Sequence, residues 1–233
     1  MQVVILAGGL GTRLRPLTAG LPKCMLPVAG KPFLEHQIER LRRHSIRDIV
    51  LCVGYLSEAI AAYFGDGHRF GVHLTYSWER DGLLGVAGAL KNAEPLLDSD
   101  FVLTYGDSYL PLDYRGVMCR FHQTDRLALM VVYRNENRWQ PSDVAVRDGL
   151  VVAYDKARQG DGLAYINYGL LALRKRALRL IPPGVPYSEE EFYRELIGRS
   201  QMLAQETSQR FYEIGSPQGL AEFQRLMATG GLP

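Results

Sequence analysis

Residues 3–27 read VVILAGGLGTRLRPLTAGLPKCMLP, and the rest of the chain is interpreted outward from them. Val3 to Ala7 is a continuous apolar run, rich in β-branched residues and closed by Gly8-Gly9. It predicts a buried parallel strand emptying into a tight loop. Gly8, Gly9 and Gly11 let that loop turn sharply and bring bare N–H groups against a ligand. Arg13, Arg15 and Lys23 follow, and no acidic residue stands between Met1 and Pro27. Amides exposed by glycine, with cations nearby, make a cradle for phosphate.

Two common phosphate loops do not fit. A dinucleotide fingerprint needs a third glycine where this chain has Leu14, and a P-loop needs Ser or Thr after Gly-Lys where Gly30-Lys31 is followed by Pro32. The stretch resembles instead the signature of the sugar-1-phosphate nucleotidylyltransferases, also called NDP-sugar pyrophosphorylases. The residues that carry the likeness are Leu6-Ala7-Gly8-Gly9, Gly11-Thr12-Arg13-Leu14, Pro16, Thr18, Pro22-Lys23, Pro27-Val28 and Lys31-Pro32. The resemblance implies that Leu6, Ala7, Gly8, Gly9, Gly11 and Thr12 bind a nucleotide, with Arg13 and Lys23 as catalytic residues.

At 233 residues and 47% hydrophobic content the chain can bury one large core, so a single nucleotidyltransferase domain over 1–233 is expected. A net charge of +2 with 22% charged residues is too balanced for a general nucleic-acid binder. The positive charge concentrates near the N-terminus, which suits a small polyanion. Cys24, Cys52 and Cys119 are odd in number and lack CxxC spacing, so they indicate neither a disulfide framework nor a zinc site. No apolar run approaches the roughly 18 residues of a membrane span, and no signal peptide is read. The expectation is a reduced, cytoplasmic protein with no membrane partner. The repeat-built acyltransferase domain that some members of that family add is not expected here, and a homo-oligomer is left open.

Leu34, Ile38 and Leu41 recur at helical spacing within Lys31–His44, Ile49–Val53 reads as a second parallel strand, and Val72–Tyr76 as a third. This alternation predicts an α/β fold with its ligand site at the strand C-terminal ends. The full expectation is a Rossmann-like open mixed sheet flanked by helices, with a smaller β-rich sugar-binding lobe in the second half. The nucleotide-binding half is taken as about 1–125 and the sugar-phosphate-binding half as about 126–233.

The segment from Trp78 through Asp81 to Leu90 resembles the family's base-recognition loop, with Val86 where Thr is common. Gly85 would let backbone groups approach the base edge. Glu79 could accept from base N–H groups, favouring guanine or uracil-type donors. Phe101 to Tyr105 is another apolar strand, ending in Gly106-Asp107. A carboxylate at that edge faces the same crevice as the glycine loop, and magnesium takes one or two carboxylates plus substrate phosphate oxygens. The resemblance makes Asp107 a Mg²⁺ ligand. A turn Asp capping the next helix is the ordinary alternative.

Past Leu127–Tyr133, another strand, the alternation fades. Asp143–Val146 and Val151–Lys156 read as a hairpin around Asp148-Gly149. The resemblance implies that Asp155 grips sugar hydroxyls and that Lys156 pairs with the sugar phosphate. Asn167, on the strand Ile166–Leu171, and Gly106 are counted with them. Arg174–Ile181 and Glu189–Arg199 read as helices. Phe211–Ile214 reads as a strand leading to a final helix capped by Ser216. Glu213 stands where the family has an Asp, the second Mg²⁺ ligand. A Glu arm reaches roughly 1.5 Å further, so the strand must sit back, the side chain must bend, or a water must intervene.

The activity implied is transfer of a nucleotidyl group from a nucleoside triphosphate to a sugar 1-phosphate, giving an NDP-sugar and pyrophosphate. Two alternatives stand beside it. One is a phosphocholine-type cytidylyltransferase, marked by an aromatic cage for which Trp78, Tyr105, Tyr109 and Trp139 are available. The other is a non-catalytic nucleotide-sugar-binding regulatory protein.

Overall fold

The computed structural model describes residues 1–80, 82–136, 138, 141–157 and 162–230. The chain begins with β1 (Gln2–Leu6) and the glycine loop, then a small antiparallel pair, β2 (Pro27–Val28) and β3 (Lys31–Pro32). Next come α1 (Phe33–Arg43), β4 (Asp48–Val53), α2 (Ser57–Phe64), β5 (His73–Trp78) and α3 (Gly85–Asn92). β6 (Asp100–Tyr105), β7 (Ser108–Tyr109) and α4 (Tyr114–His122) lead to β8 (Ala128–Arg134). The second half adds β9 (Val144–Arg147), β10 (Leu150–Tyr154), β11 (Tyr165–Arg174), α5 (Glu189–Gly198) and β12 (Met202–Thr207). β13 (Tyr212–Glu213) and α6 (Pro217–Ala228) follow.

One sheet runs in the order β5-β4-β1-β6-β11-β8-β12-β10-β9. β5, β4, β1 and β6 are mutually parallel, whereas β11 is antiparallel to both β6 and β8. The fold is therefore α/β with a mixed sheet, as expected. β1 lies between β4 and β6, covered on both faces, which is why its sequence is apolar without a break. Val3 and Ile5 pack on the side of α1, α2 and α4, while Val4 packs on the side of α3 and α5. Leu14, Val28, Phe33, Ile214 and Phe223 form a third cluster that clamps α6 beside the glycine loop.

The β-rich half closes on itself because β9 pairs with β11 as well as with β10. The device is an irregularity in β11 between Asn167 and Leu171, where Gly169 has φ 90°. A strand bends at such a bulge. Asn167 Oδ1 accepts from the Gly169 N–H at 3.0 Å, and Thr104 Oγ1 donates to the Gly169 carbonyl at 3.0 Å. Ahead of the bend β11 helps close the small barrel; after it, Leu170–Arg174 pair with β6.

Several sequence expectations shift in detail. The Asp148-Gly149 turn has φ of 51° and 74°, the left-handed pair that a tight hairpin requires. Arg174 ends β11, and Lys175–Leu180 form a 3-10 turn rather than the expected helix, because Pro182 and Pro183 stop further winding. The expected strand Phe211–Ile214 shrinks to Tyr212–Glu213, paired with Tyr109 and Ser108. β12 is absent from the sequence reading: after Met202-Leu203-Ala204 its residues are polar, and it is a strand because it fits between β8 and β10. Among the described residues no helix is long and apolar enough to cross a membrane.

Candidate active site

β1 and β6 end side by side, and their C-terminal loops form the two lips of a cavity of about 250 Å³. Leu6, Ala7, Gly8 and Gly9 line one lip, and Tyr105, Gly106 and Asp107 the other. The strands meet closely because Gly106 N–H donates to the Leu6 carbonyl at 2.9 Å, and a Cβ at Gly106 would lie 3.1 Å from that oxygen. Gly11, at φ 62°, starts the 3-10 turn Thr12–Leu14, and buried Thr18 ties the loop back by donating to the Gly11 carbonyl at 2.8 Å. Thr12 and Arg13 stay exposed on that turn.

Lys23, Arg13, Asp107 and Glu213 come from separate parts of the sequence and gather at one place. Lys23 forms an ion pair with Asp107. The β7–β13 pairing sets Ser108 opposite Glu213, and Ile214 N–H donates to the Asp107 carbonyl at 2.9 Å. A Cβ at Gly215 would lie 2.6 Å from Glu213 Oε2 and 3.1 Å from both Asp107 Oδ2 and an Arg13 guanidinium nitrogen. Two carboxylates and a guanidinium thus surround a point that only a glycine leaves open. Glu213 bends: its carboxylate accepts from Gly215 N–H and from Ser216 Oγ at 2.7 Å, and Ser216 in turn caps α6 through Gly219 N–H. Among the described residues no group of three or more His, Cys, Asp or Glu gathers as a metal cage. The Asp107 and Glu213 oxygens nevertheless suit Mg²⁺, which binds through one or two carboxylates and completes its shell with waters and phosphates.

Glu79 lines the cavity and is half-buried. One oxygen accepts from Leu84 N–H at 2.9 Å, and the other lies 3.1 Å from where a Gly8 Cβ would be. Burial raises its pKa above the usual carboxylate range, partly offset by the Leu84 N–H. Gly85 also lines the cavity, at φ 72°, but its missing side chain makes room for the Tyr187 carbonyl, 2.8 Å from a would-be Cβ. Packing by itself thus calls for glycine there. Cys24 forms part of the cavity wall, and burial pushes its thiol up to about 12, leaving no thiolate nucleophile. Asp81 lies outside the described residues.

Beyond Tyr105 lies a second polar group that the sequence reading only partly anticipates. Lys156 forms an ion pair with Glu189, the first residue of α5, and sits 5.7 Å from the Tyr154 ring centre. Glu189 also accepts from the Tyr105 hydroxyl and, at 2.8 Å, from the Tyr154 hydroxyl. The Tyr105 and Tyr193 hydroxyls are 3.1 Å apart. Burial and the neighbouring carboxylate hold all three tyrosines well above their usual range, so they remain neutral. Asn167 N–H donates to Asp143 Oδ1 at 2.9 Å, and burial raises the Asp143 pKa despite that bond and the charge of Lys156. Asp155 instead accepts from Ala157 N–H at 2.9 Å, a local turn contact. Glu189 and Asp143 are the acids around Lys156 that the sequence reading passed over. Their only signal was a helix-start Glu and a strand-edge Asp.

The aromatic residues available for a cage have different surroundings. Tyr109 packs on Phe223 at 5.2 Å, Trp78 on Tyr76 at 5.6 Å, and the Tyr105 hydroxyl is held by Glu189. Trp139 lies outside the described residues.

Residues 2–140 match the family model described as Nucleotidyl transferase. The chain is 30% identical over 224 residues to D-glycero-alpha-D-manno-heptose 1-phosphate guanylyltransferase of Campylobacter jejuni, covering 96% of this chain and 98% of that protein. It is 33% identical over 208 residues to UTP–glucose-1-phosphate uridylyltransferase of Synechocystis sp., covering 80% of this chain but only 52% of that protein, about half its length. The crystal structure of HddC from Yersinia pseudotuberculosis complexed with GMP-PN is similar at a TM-score of 0.80 and 28% identity, covering 97% of this chain and 99% of that one.

Proposed function

The chain belongs to the nucleotidyl transferase family, and from that premise we propose that it joins a nucleoside triphosphate to a sugar 1-phosphate, releasing pyrophosphate. The observation that carries the reading is the gathering of Arg13, Lys23, Asp107 and Glu213 at the mouth of the glycine-loop cavity. We assign the donor to the half of about 1–125 and the acceptor to about 126–233.

An oxygen of the sugar phosphate attacks the α-phosphorus opposite the bridge to the β-phosphate. The new P–O bond forms as the α–β bond breaks, and the electron pair leaves with pyrophosphate. That nucleophile is already anionic near neutral pH, so the site needs no general base. Its task is positioning and charge neutralisation. The loop amides bind the triphosphate, and Arg13 and Lys23 balance its charge as the phosphates are brought together. Mg²⁺, held by Asp107 and Glu213, would supply further charge neutralisation on the phosphate oxygens.

Glu79 favours guanine as the base. Guanine presents two adjacent N–H donors to a carboxylate, whereas uracil and thymine present one. Cytosine and adenine set an acceptor nitrogen beside their amino group, which a carboxylate repels. The guanylyltransferase of C. jejuni and the GMP-PN complex of HddC support this choice. The heptose 1-phosphate in the former's name and the glucose 1-phosphate in that of the Synechocystis relative support a heptose or hexose 1-phosphate as acceptor.

The test is pyrophosphate release measured with GTP, UTP, CTP and dTTP, each against a panel of sugar 1-phosphates and against phosphocholine. GTP with a heptose or hexose 1-phosphate is expected to be fastest. Release only with CTP and phosphocholine would move the chain to the other acceptor class, and no release with any pair would leave a binding protein.

A further inference from the structure

The ion pair between Lys156 and Glu189 is unequal: the lysine side chain is 55% exposed, the glutamate 10%. The lysine reaches into solvent, whereas the carboxylate is enclosed. Glu189 accepts from Tyr154 through the same oxygen that holds Lys156, and from Tyr105 through the other. Tyr105 is two residues before Asp107 and lines the nucleotide cavity. The charges of both Lys156 and Glu189 act on Asp143, so one ammonium serves two carboxylates.

We propose that Glu189 is a specificity-determining residue for the acceptor: it keeps Lys156 until a ligand supplies a phosphate for the lysine and a hydroxyl for the carboxylate. This rests on the function proposed above. When an acceptor phosphate draws Lys156 away, Glu189 keeps its tyrosine donors but loses its charged partner, which is costly for a buried carboxylate. A carboxylate has about four acceptor positions, and the position given up by the ammonium suits a sugar hydroxyl. A phosphomonoester with no hydroxyl within reach would take the lysine and leave Glu189 and Asp143 without their cation. The site therefore reads two features of the acceptor together.

The experiment compares kcat/KM for the best sugar 1-phosphate with a set of analogues, each lacking one hydroxyl, in the full-length protein. In the wild type, one analogue is expected to lose about tenfold or more, the scale of a hydrogen bond to a charged group. Glu189→Gln, neutral and not reliant on the lysine, should narrow that gap several-fold. Tyr154→Phe should widen it, because the same oxygen then depends more on the acceptor. Two variants with opposite expected signs keep the test open should either one fold poorly. A flat analogue series in the wild type, or a uniform loss across the series in the variants, would overturn the proposal while the function stands. No pyrophosphate release by the wild type with any pair would overturn both.

Discussion

On one side of Asp107 the proposed cradle for the triphosphate is backbone from a single short stretch, Leu6 to Gly9, set in a cavity whose other walls come from Cys52, Glu79, α3 and the end of β6. On the other side, the group around Lys156 is built of side chains from β6, β10 and α5, tied to one another by hydroxyl and carboxylate hydrogen bonds. A triphosphate is the same in every donor, so a preformed loop of amides can serve it. Sugar phosphates differ in their hydroxyls, and side chains are the part of a site that can be varied one at a time. The difference separates a constant task from an adjustable one.

The largest effect is expected at the carboxylate paired with Lys23. Asp107→Asn should lower turnover about a hundredfold or more at saturating Mg²⁺ while thermal unfolding stays near the wild type. Activity within a fewfold of normal would remove Asp107 from the proposed site. The two lysines come next. Lys23→Ala should lower kcat, whereas Lys156→Ala should chiefly raise the sugar-phosphate KM, on the order of tenfold. A Lys156 variant that weakened nucleotide binding alone would merge the two sides into one.

How far each side could be read beforehand follows the same division. The glycine loop, Arg13, Lys23 and Asp107 lie in contiguous motifs, where local spacing already dictates geometry. Lys156 and Asn167 were singled out by the family resemblance alone. Glu189 was not, because nothing near it in sequence indicates that α5 delivers its first residue to the end of β6. Likewise β12 carries too little alternation to announce itself, and its strand conformation is set by its neighbours β8 and β10.

A smaller effect is expected at Glu213. Its carboxylate already accepts from Gly215 and Ser216, so Glu213→Gln should raise the Mg²⁺ concentration for half-maximal activity several-fold without abolishing it. Glu213→Asp should restore this only in part, since the loop is shaped to the longer arm. An unchanged Mg²⁺ requirement in Glu213→Gln would leave Asp107 as the sole protein ligand. The mildest effect concerns pH. Burial raises the Glu79 pKa, and guanine N–H donors need the ionised form. The KM for GTP should therefore begin to rise, as the solution is acidified, at a higher pH than an ordinary glutamate would give. The same profile in Glu79→Gln should be flatter; superimposable profiles would assign the base contact elsewhere.

The bend in β11 has a mechanical consequence. Leu170–Arg174 are bonded to β6, and the residues before the bend to β8 and β9, so the strand works as a beam common to both halves. A clamshell hinge between them would have to tear ladder hydrogen bonds along its length. Admission of substrate and escape of the proposed NDP-sugar product then fall to the connecting segments at the strand ends. The amides of Leu170 to Arg174 should accordingly stay among the slowest to exchange with solvent, whether the crevice is filled or empty.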